Sequence, residues 1–101
     1  EVGEIWRAAF DLTATVGVLI HIPPTDLVEV MQSIAEASNR FVLAVEYEAD
    51  QETEIEYRGH KHRLWSRPYG KLYEAQGLTL VATGDAGTGF DRCTYWLMRK
   101  T

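Results

Sequence analysis

The sequence predicts an α/β fold in which parallel strands are closed by an antiparallel hairpin at the C-terminus. Three features carry that expectation. A short apolar run, Phe10 to Ile22, ends in a histidine, two prolines and the start of a helix. An amphipathic stripe follows, and then a second, unbroken apolar run from Phe41 to Tyr47. Strand, helix and strand joined by short connections form a right-handed crossover between parallel strands. The last third holds two further strand-like segments joined by a glycine-containing loop, which pair most simply as antiparallel neighbours.

In chain order, Glu1 to Ala9 sets Ile5, Trp6, Ala8 and Ala9 among charges and is weakly helical. Phe10 to Val16 is the first strand, expected to be buried because the run is apolar and bounded by turn signals. Leu19-Ile20-His21-Ile22 is either more strand or one helical turn, and periodicity does not separate the two. Thr25 suits an N-cap, and Asp26 places a negative charge in the first turn, where the helix dipole favours it. Leu27, Val30, Met31, Ile34 and Ala35 then recur at helical spacing, with Glu29, Gln32, Ser33 and Glu36 on the other face. The helix is expected to run to Ser38 and to end at Asn39.

Phe41 to Tyr47 reads as a central strand buried on both faces. The acidic stretch Glu48 to Glu54 is a solvated loop. Glu54 to Tyr57 and Arg63 to Trp65 flank Arg58-Gly59-His60-Lys61-His62 and predict a small hairpin. Pro68 suits the first turn of a helix running to Gln76, with Gly77 as its stop. Leu78 to Thr83 and Cys93 to Met98 are the closing strands, joined by a loop from Gly84 to Arg92. No repeat, low-complexity tract or linker divides the chain, so residues 1–101 are expected to form a single domain.

Composition is that of an ordinary globular chain, 46% hydrophobic and 25% charged. Lys and Arg total 10 against 15 acids, a net charge of -5 that speaks against nucleic acid as a partner. Cys93 is the only cysteine, so no disulfide forms within the chain, and a reducing, cytoplasmic setting is expected. No apolar run approaches the roughly 18 residues of a membrane span, and no signal peptide is visible. The sequence opens at Glu1 without a methionine, which fits a processed, excised or partial product.

Ligands of open α/β sheets bind beyond the carboxyl ends of the strands. Here those ends are Thr15-Val16-Gly17 with the turn to His21, and Glu46-Tyr47 with the loop after it. The hairpin leaves from the second end, so His21, Glu46, Tyr47, Tyr57, Arg58 and His60 form one candidate cluster. A histidine accepts a proton at neutral pH, and Arg58 suits an acidic substrate. The plainer alternative is that His21 is a semi-buried structural residue, Glu46 a strand-end charge and the hairpin surface decoration. No metal site is expected, since His60-Lys61-His62 lacks nearby cysteine or spaced acidic ligands. Gly84-Asp85-Ala86-Gly87-Thr88-Gly89 looks like a phosphate loop, but such loops open a helix and this one leads to a strand. Cys93, at a strand start, reads as core.

Phe10 to Thr15 followed by Gly17-Val18-Leu19-Ile20-His21-Ile22-Pro23 resembles the fourth strand and following turn of class I S-adenosylmethionine-dependent methyltransferases. Glu46-Tyr47 and Glu56-Tyr57-Arg58-Gly59-His60-Lys61, with Arg63-Leu64, are similar to methylases associated with pseudaminic acid biosynthesis. The resemblance runs over nearly all of Phe10 to Lys100. It implies half of a Rossmann-like methyltransferase sheet, strands four to seven of seven, with the last strand antiparallel and inserted by the terminal hairpin. It also implies that the first strand ends near Val16 and that Leu19 to Ile22 is a turn. Thr15, Val16 and Gly17 would then line the methionine end of S-adenosylmethionine, and His21 would face the methyl-transfer site.

Two departures limit the resemblance. The family's first half, with its glycine-rich loop and ribose-binding acid, has no counterpart in the chain, and Arg67-Pro68-Tyr69-Gly70-Lys71-Leu72 departs from the family's acidic-aromatic helix start. The expectation is a methyltransferase-like half-domain, inactive alone and binding no cofactor by itself. The complete family would methylate a small, sugar-derived substrate. Expected partners are a second copy of the chain or a complementary N-terminal half. The alternative is a stand-alone interaction or small-molecule binding module without catalysis.

Overall fold

Phe10–Val16 forms β1 in the computed structural model, which describes residues 10–56, 59, 61, 63–87 and 93–100. The weak helix expected over residues 1–9 lies outside the described residues. β1 is followed by a single 3-10 turn, Leu19–His21, then helix α1, Pro24–Ala37, and strand β2, Ser38–Tyr47. Two short strands come next, β3 at Thr53–Glu54 and β4 at Trp65–Ser66, then helix α2, Tyr69–Ala75. Strands β5, Thr79–Asp85, and β6, Cys93–Arg99, close the chain.

The main sheet has the order β1-β2-β6-β5. β1 and β2 are parallel, in register from Leu12 opposite Phe41 to Val16 opposite Val45. β6 is antiparallel to both β2 and β5, so the terminal hairpin inserts its last strand between two parallel ones. This is the α/β arrangement the sequence predicts, and the inserted last strand is the one the resemblance implies. β3 and β4 make a separate two-stranded antiparallel pair, extended by a 2.8 Å bond from Ile55 N–H to the Leu64 carbonyl. The pair is offset from the expected one by a residue or two, and part of its turn lies outside the described residues.

Helix α1 turns Leu27, Met31 and Ala35 inward, with Val30 and Ile34 packed at the margin. Burial of Leu27 and of Met31 contributes about 1.5–3 kcal/mol each, and that of the Ala35 methyl less. They meet Val42 and Ala44 of β2, Trp96 and Met98 of β6, and Tyr69 and Tyr73 of α2 in one core. Successive strand residues point to opposite faces. Phe41, Leu43, Val45, Tyr95 and Leu97 therefore share the other face and take no part in that core.

The helix boundaries differ from expectation for local reasons. Thr25 is not the N-cap; Pro23 holds that position and Pro24 is the first helical residue. Proline is favoured there because its fixed φ suits the helix and its missing N–H would be unpaired anyway. At the other end there is no loop. The chain passes from Ala37 straight into β2, and the buried Ser38 hydroxyl donates to the Phe41 carbonyl at 2.5 Å. Gly77 stops α2 as expected, at φ 98, with Gly77 N–H bonded to Glu74 and Leu78 N–H to Tyr73. That pair of bonds is a Schellman motif, which needs a left-handed residue at the glycine.

The burial expected of β1 is not found. Phe10, Leu12 and Val16 are 48%, 49% and 50% exposed, and only Thr15 is buried. An apolar run signals that something covers a strand, but not that the cover lies among these residues. Cys93 is buried, and no helix among the described residues is long and apolar enough to cross a membrane.

Candidate functional site

The carboxyl ends of β1 and β2 lie side by side, and the turn that leaves β1 folds over the end of β2. Gly17 makes this possible. Its N–H extends the parallel ladder to the Val45 carbonyl at 2.9 Å, and its φ of 66 then swings the chain aside. A left-handed φ is strained for any residue with a Cβ. Beyond it, His21 and Ile22 N–H groups bond back to Val18 and Leu19, forming the 3-10 turn. The strand therefore ends at Val16.

Two buried charged side chains hold this turn, one at its N–H groups and one at its carbonyls. Glu46, one residue beyond the Val16–Val45 pair, is wholly buried, and its Oε1 accepts the Ile20 N–H at 3.2 Å. A carboxylate beneath the first N–H groups of a helical turn is favoured by their partial positive charge. Burial nevertheless raises its pKa above 4.5. The Thr15 hydroxyl and the N–H groups of Leu19, Ile20 and Val18 act against the rise without cancelling it. Glu46 Oε2 and Thr15 Oγ1, both buried, make no hydrogen bond of good geometry.

A pH-dependent stability follows. A carboxyl whose folded pKa is raised stabilises the fold fully below its unfolded value, and that contribution is lost as pH rises through the folded value. Glu46→Gln keeps an acceptor for Ile20 N–H and removes the buried charge. It is expected to match the wild type well below pH 4.5 and to become the more stable of the two as pH rises. Each pH unit of displacement is worth about 1.4 kcal/mol. Urea unfolding across that range would show the divergence; a variant less stable at neutral pH would contradict it.

Arg67 is the second charged residue, also wholly buried. Its Nη1 donates to the Leu19 carbonyl at 2.9 Å and its Nη2 to the Ile22 carbonyl at 2.7 Å. Nε pairs with Glu52 at 2.7 Å, and the guanidinium lies 5.1 Å from the Trp65 ring centre. Only a planar fork of donors reaches two carbonyls and a carboxylate at once. The main chain puts it there: Arg67 N–H bonds to the Tyr47 carbonyl at 3.1 Å, which lays the exit from β4 along the end of β2. Tyr69 backs the guanidinium, donating its hydroxyl proton to the Trp65 carbonyl at 3.2 Å, and burial raises its pKa.

Among the predicted residues, the structure brings Thr15, Val16, Gly17, His21 and Glu46 to one end of the sheet. Thr15 is buried, Val16 half exposed and Gly17 half-buried. His21 is exposed, and its Nδ1 lies 2.8 Å from the Arg63 carbonyl. Glu46 turns inward to the turn, and Tyr47 is half-buried against the core. Tyr57, Arg58 and His60 lie outside the described residues. Among the described residues no three His, Cys, Asp or Glu side chains are grouped to hold a metal ion. The sequence reading missed Arg67. The aromatic neighbours Trp65 and Tyr69, whose ring centres lie 5.1 and 6.0 Å from its guanidinium, are the one local cue to a cation–π contact.

Neither a family model nor a curated protein matches the sequence. Solved structures do match the fold. The 1,6-didemethyltoxoflavin-N1-methyltransferase of Burkholderia thailandensis, solved with 1,6-didemethyltoxoflavin and S-adenosylhomocysteine, has a TM-score of 0.78 at 16% identity. The match covers 94% of this chain and 45% of that one. Magnesium protoporphyrin IX methyltransferase of Synechocystis PCC 6803, solved with S-adenosylhomocysteine, gives a TM-score of 0.72 at 14% identity, covering 100% and 49%. The chain thus spans about half the length of these enzymes. Its fold is the α/β Rossmann-like methyltransferase fold, with a mixed parallel and antiparallel sheet and flanking helices.

Proposed function

We propose that this chain forms the acceptor-facing half of an S-adenosylmethionine-dependent methyl-transfer site, with His21 as proton acceptor. The observation that carries the reading is the turn from Gly17 to Ile22. It lies at the carboxyl ends of two parallel strands, is held by buried Glu46 and Arg67, and presents an exposed imidazole. The described residues offer only part of a cofactor site. Thr15, Val16 and Gly17 suit a methionine moiety, whereas no glycine-rich loop opens a helix that would receive the rest of the cofactor. β5 runs through Gly84 to Asp85, and the next described element is again a strand.

A bound cofactor would supply an electrophilic methyl group on a sulfonium, whose sulfur would keep the electron pair of the carbon–sulfur bond as a neutral thioether. What this chain contributes is the acceptor's proton. His21 takes it as the acceptor atom bonds to the methyl carbon, provided the two lie within hydrogen-bond reach. The similarity to pseudaminic acid-associated methylases points to a small, sugar-derived acceptor, with Tyr47, Tyr57, Arg58 and His60 as its proposed binding residues. On this reading the chain is inactive alone, because the anion-cradling and ribose-binding elements must come from another polypeptide segment.

Two measurements test the reading. Calorimetric titration of the isolated chain with S-adenosylhomocysteine is expected to show no binding, and a micromolar dissociation constant would contradict the division of the site. Amino sugars and nucleotide sugars, titrated against the His21 ring proton signals, are expected to move them. His21→Ala should weaken that binding about tenfold, as the loss of a contact worth about 1.4 kcal/mol does. Shifts that map away from this end of the sheet would refute the assignment.

A further inference from the structure

The contact between His21 Nδ1 and the Arg63 carbonyl, at 2.8 Å, has a direct chemical consequence. A carbonyl oxygen only accepts a hydrogen bond, so the ring nitrogen that faces it carries the proton. In the neutral imidazole Nε2 is then the atom with the free lone pair. An unconstrained imidazole in water favours the opposite arrangement, with the proton on Nε2. Something must therefore hold His21 and the Arg63 carbonyl together, although the two are 42 residues apart in the chain.

Arg67 joins those two segments. It lies four residues beyond Arg63 and is tied to β2 through its own N–H and the Tyr47 carbonyl. Its side chain grips Leu19 and Ile22, the carbonyls on either side of Ile20 and His21, at 2.9 and 2.7 Å. Arg67 is wholly buried, so water does not compete for those carbonyls. Glu46 holds the Ile20 N–H independently, but it sits on β2 and has no hold on the segment carrying Arg63.

We propose that Arg67 is a positioning residue: by locking the Leu19–Ile22 turn to the segment from Arg63 to Arg67, it fixes the proton of His21 on Nδ1 and leaves Nε2 as the proton acceptor. That this acceptor serves methyl transfer rests on the function proposed above. The tautomer does not.

Long-range 1H–15N correlation spectra of the neutral ring decide the matter. They are recorded about two pH units above the usual histidine value of about 6.5 and assigned with His21→Gln. The wild type is expected to show a protonated Nδ1 and a bare Nε2. Arg67→Lys keeps the charge but cannot fork to both carbonyls, and should shift the population toward the proton on Nε2. Arg63→Ala should leave the tautomer unchanged, since the acceptor is main chain. A wild-type ring protonated on Nε2 would overturn the proposal, and so would an unchanged tautomer in a folded Arg67→Lys. If Arg67→Lys does not fold, Glu52→Gln loosens the guanidinium at its half-exposed partner. A smaller shift in the same direction is expected, and its absence counts against the proposal. Cofactor and acceptor titrations read the function separately, so either conclusion can fail without the other.

Discussion

Replacing Arg67 with methionine is expected to destabilise the chain by about 3–5 kcal/mol, since it removes two hydrogen bonds from a charged donor, each worth about 1.5–3 kcal/mol. Methionine fills much of the volume and keeps contact with Trp65, so the loss is polar in origin. The Ile22 carbonyl loses its 2.7 Å donor, while the Leu19 carbonyl loses its 2.9 Å donor and keeps only the Ile22 N–H of the 3-10 turn. Each buried group left unpaired costs about 1–3 kcal/mol. Glu52 contributes little to the loss, because its side chain is 42% exposed and returns to water. A double-mutant cycle with Glu52→Gln should accordingly give a coupling below about 1 kcal/mol, the ordinary value for exposed pairs. For a domain of this size each kcal/mol moves the midpoint by about 4–8 °C. The variant should therefore melt well over 10 °C lower. A loss below about 1 kcal/mol would mean that the two carbonyls find other partners, and the account of the turn would fall with it.

The parts of this fold that were legible in the sequence are those whose signals are local. The stripe from Leu27 to Ala35 has helical spacing whatever surrounds it, and Gly77 stops α2 because the left-handed cap is a property of that residue. The parallel pairing of β1 and β2 follows from the length of the crossover between them. The site was legible only in part. His21 and Glu46 stand at strand ends, where position alone marks them, but Arg67 reaches its partners across 48 and 45 residues. No periodicity encodes a contact of that span. The sequence places Glu46 in the candidate ligand cluster, whereas in the structure its Oε1 accepts the Ile20 N–H. A strand-end carboxylate looks the same in sequence whether a ligand or the backbone of a neighbouring turn meets it.

The isolated chain is expected to associate with itself through β1. Among the described residues β1 pairs only with β2, leaving its other edge without a neighbouring strand. Leu12 and Val16 are half exposed on it, and Val18, 47% exposed, extends the apolar patch past its end. Unpaired, apolar edges are templates for another strand, and natural ones are guarded by lysine, proline or bulges. Here the one irregularity falls between Phe10 and Leu12, and from Leu12 to Val16 the register is regular. Two copies pairing β1 antiparallel about a two-fold axis normal to the sheet would form a continuous eight-stranded sheet, with both helical layers on one side. Such an arrangement satisfies the edge and leaves Leu43 and Leu97 on the open face. A segment that supplied both a parallel strand and a helix across that face would serve the surface better. If the function proposed above holds, a cofactor-carrying half would join at this same edge, and its arrival should then dissociate the self-associated form. Leu12→Lys places a charge on the edge at a half-exposed position, so it should cost less than about 0.5 kcal/mol of stability while shifting the chain toward monomer. Sedimentation equilibrium at tens of micromolar is the measurement. A monomeric wild type would refute the prediction, as would fast amide exchange along Leu12 to Val16 within an oligomer.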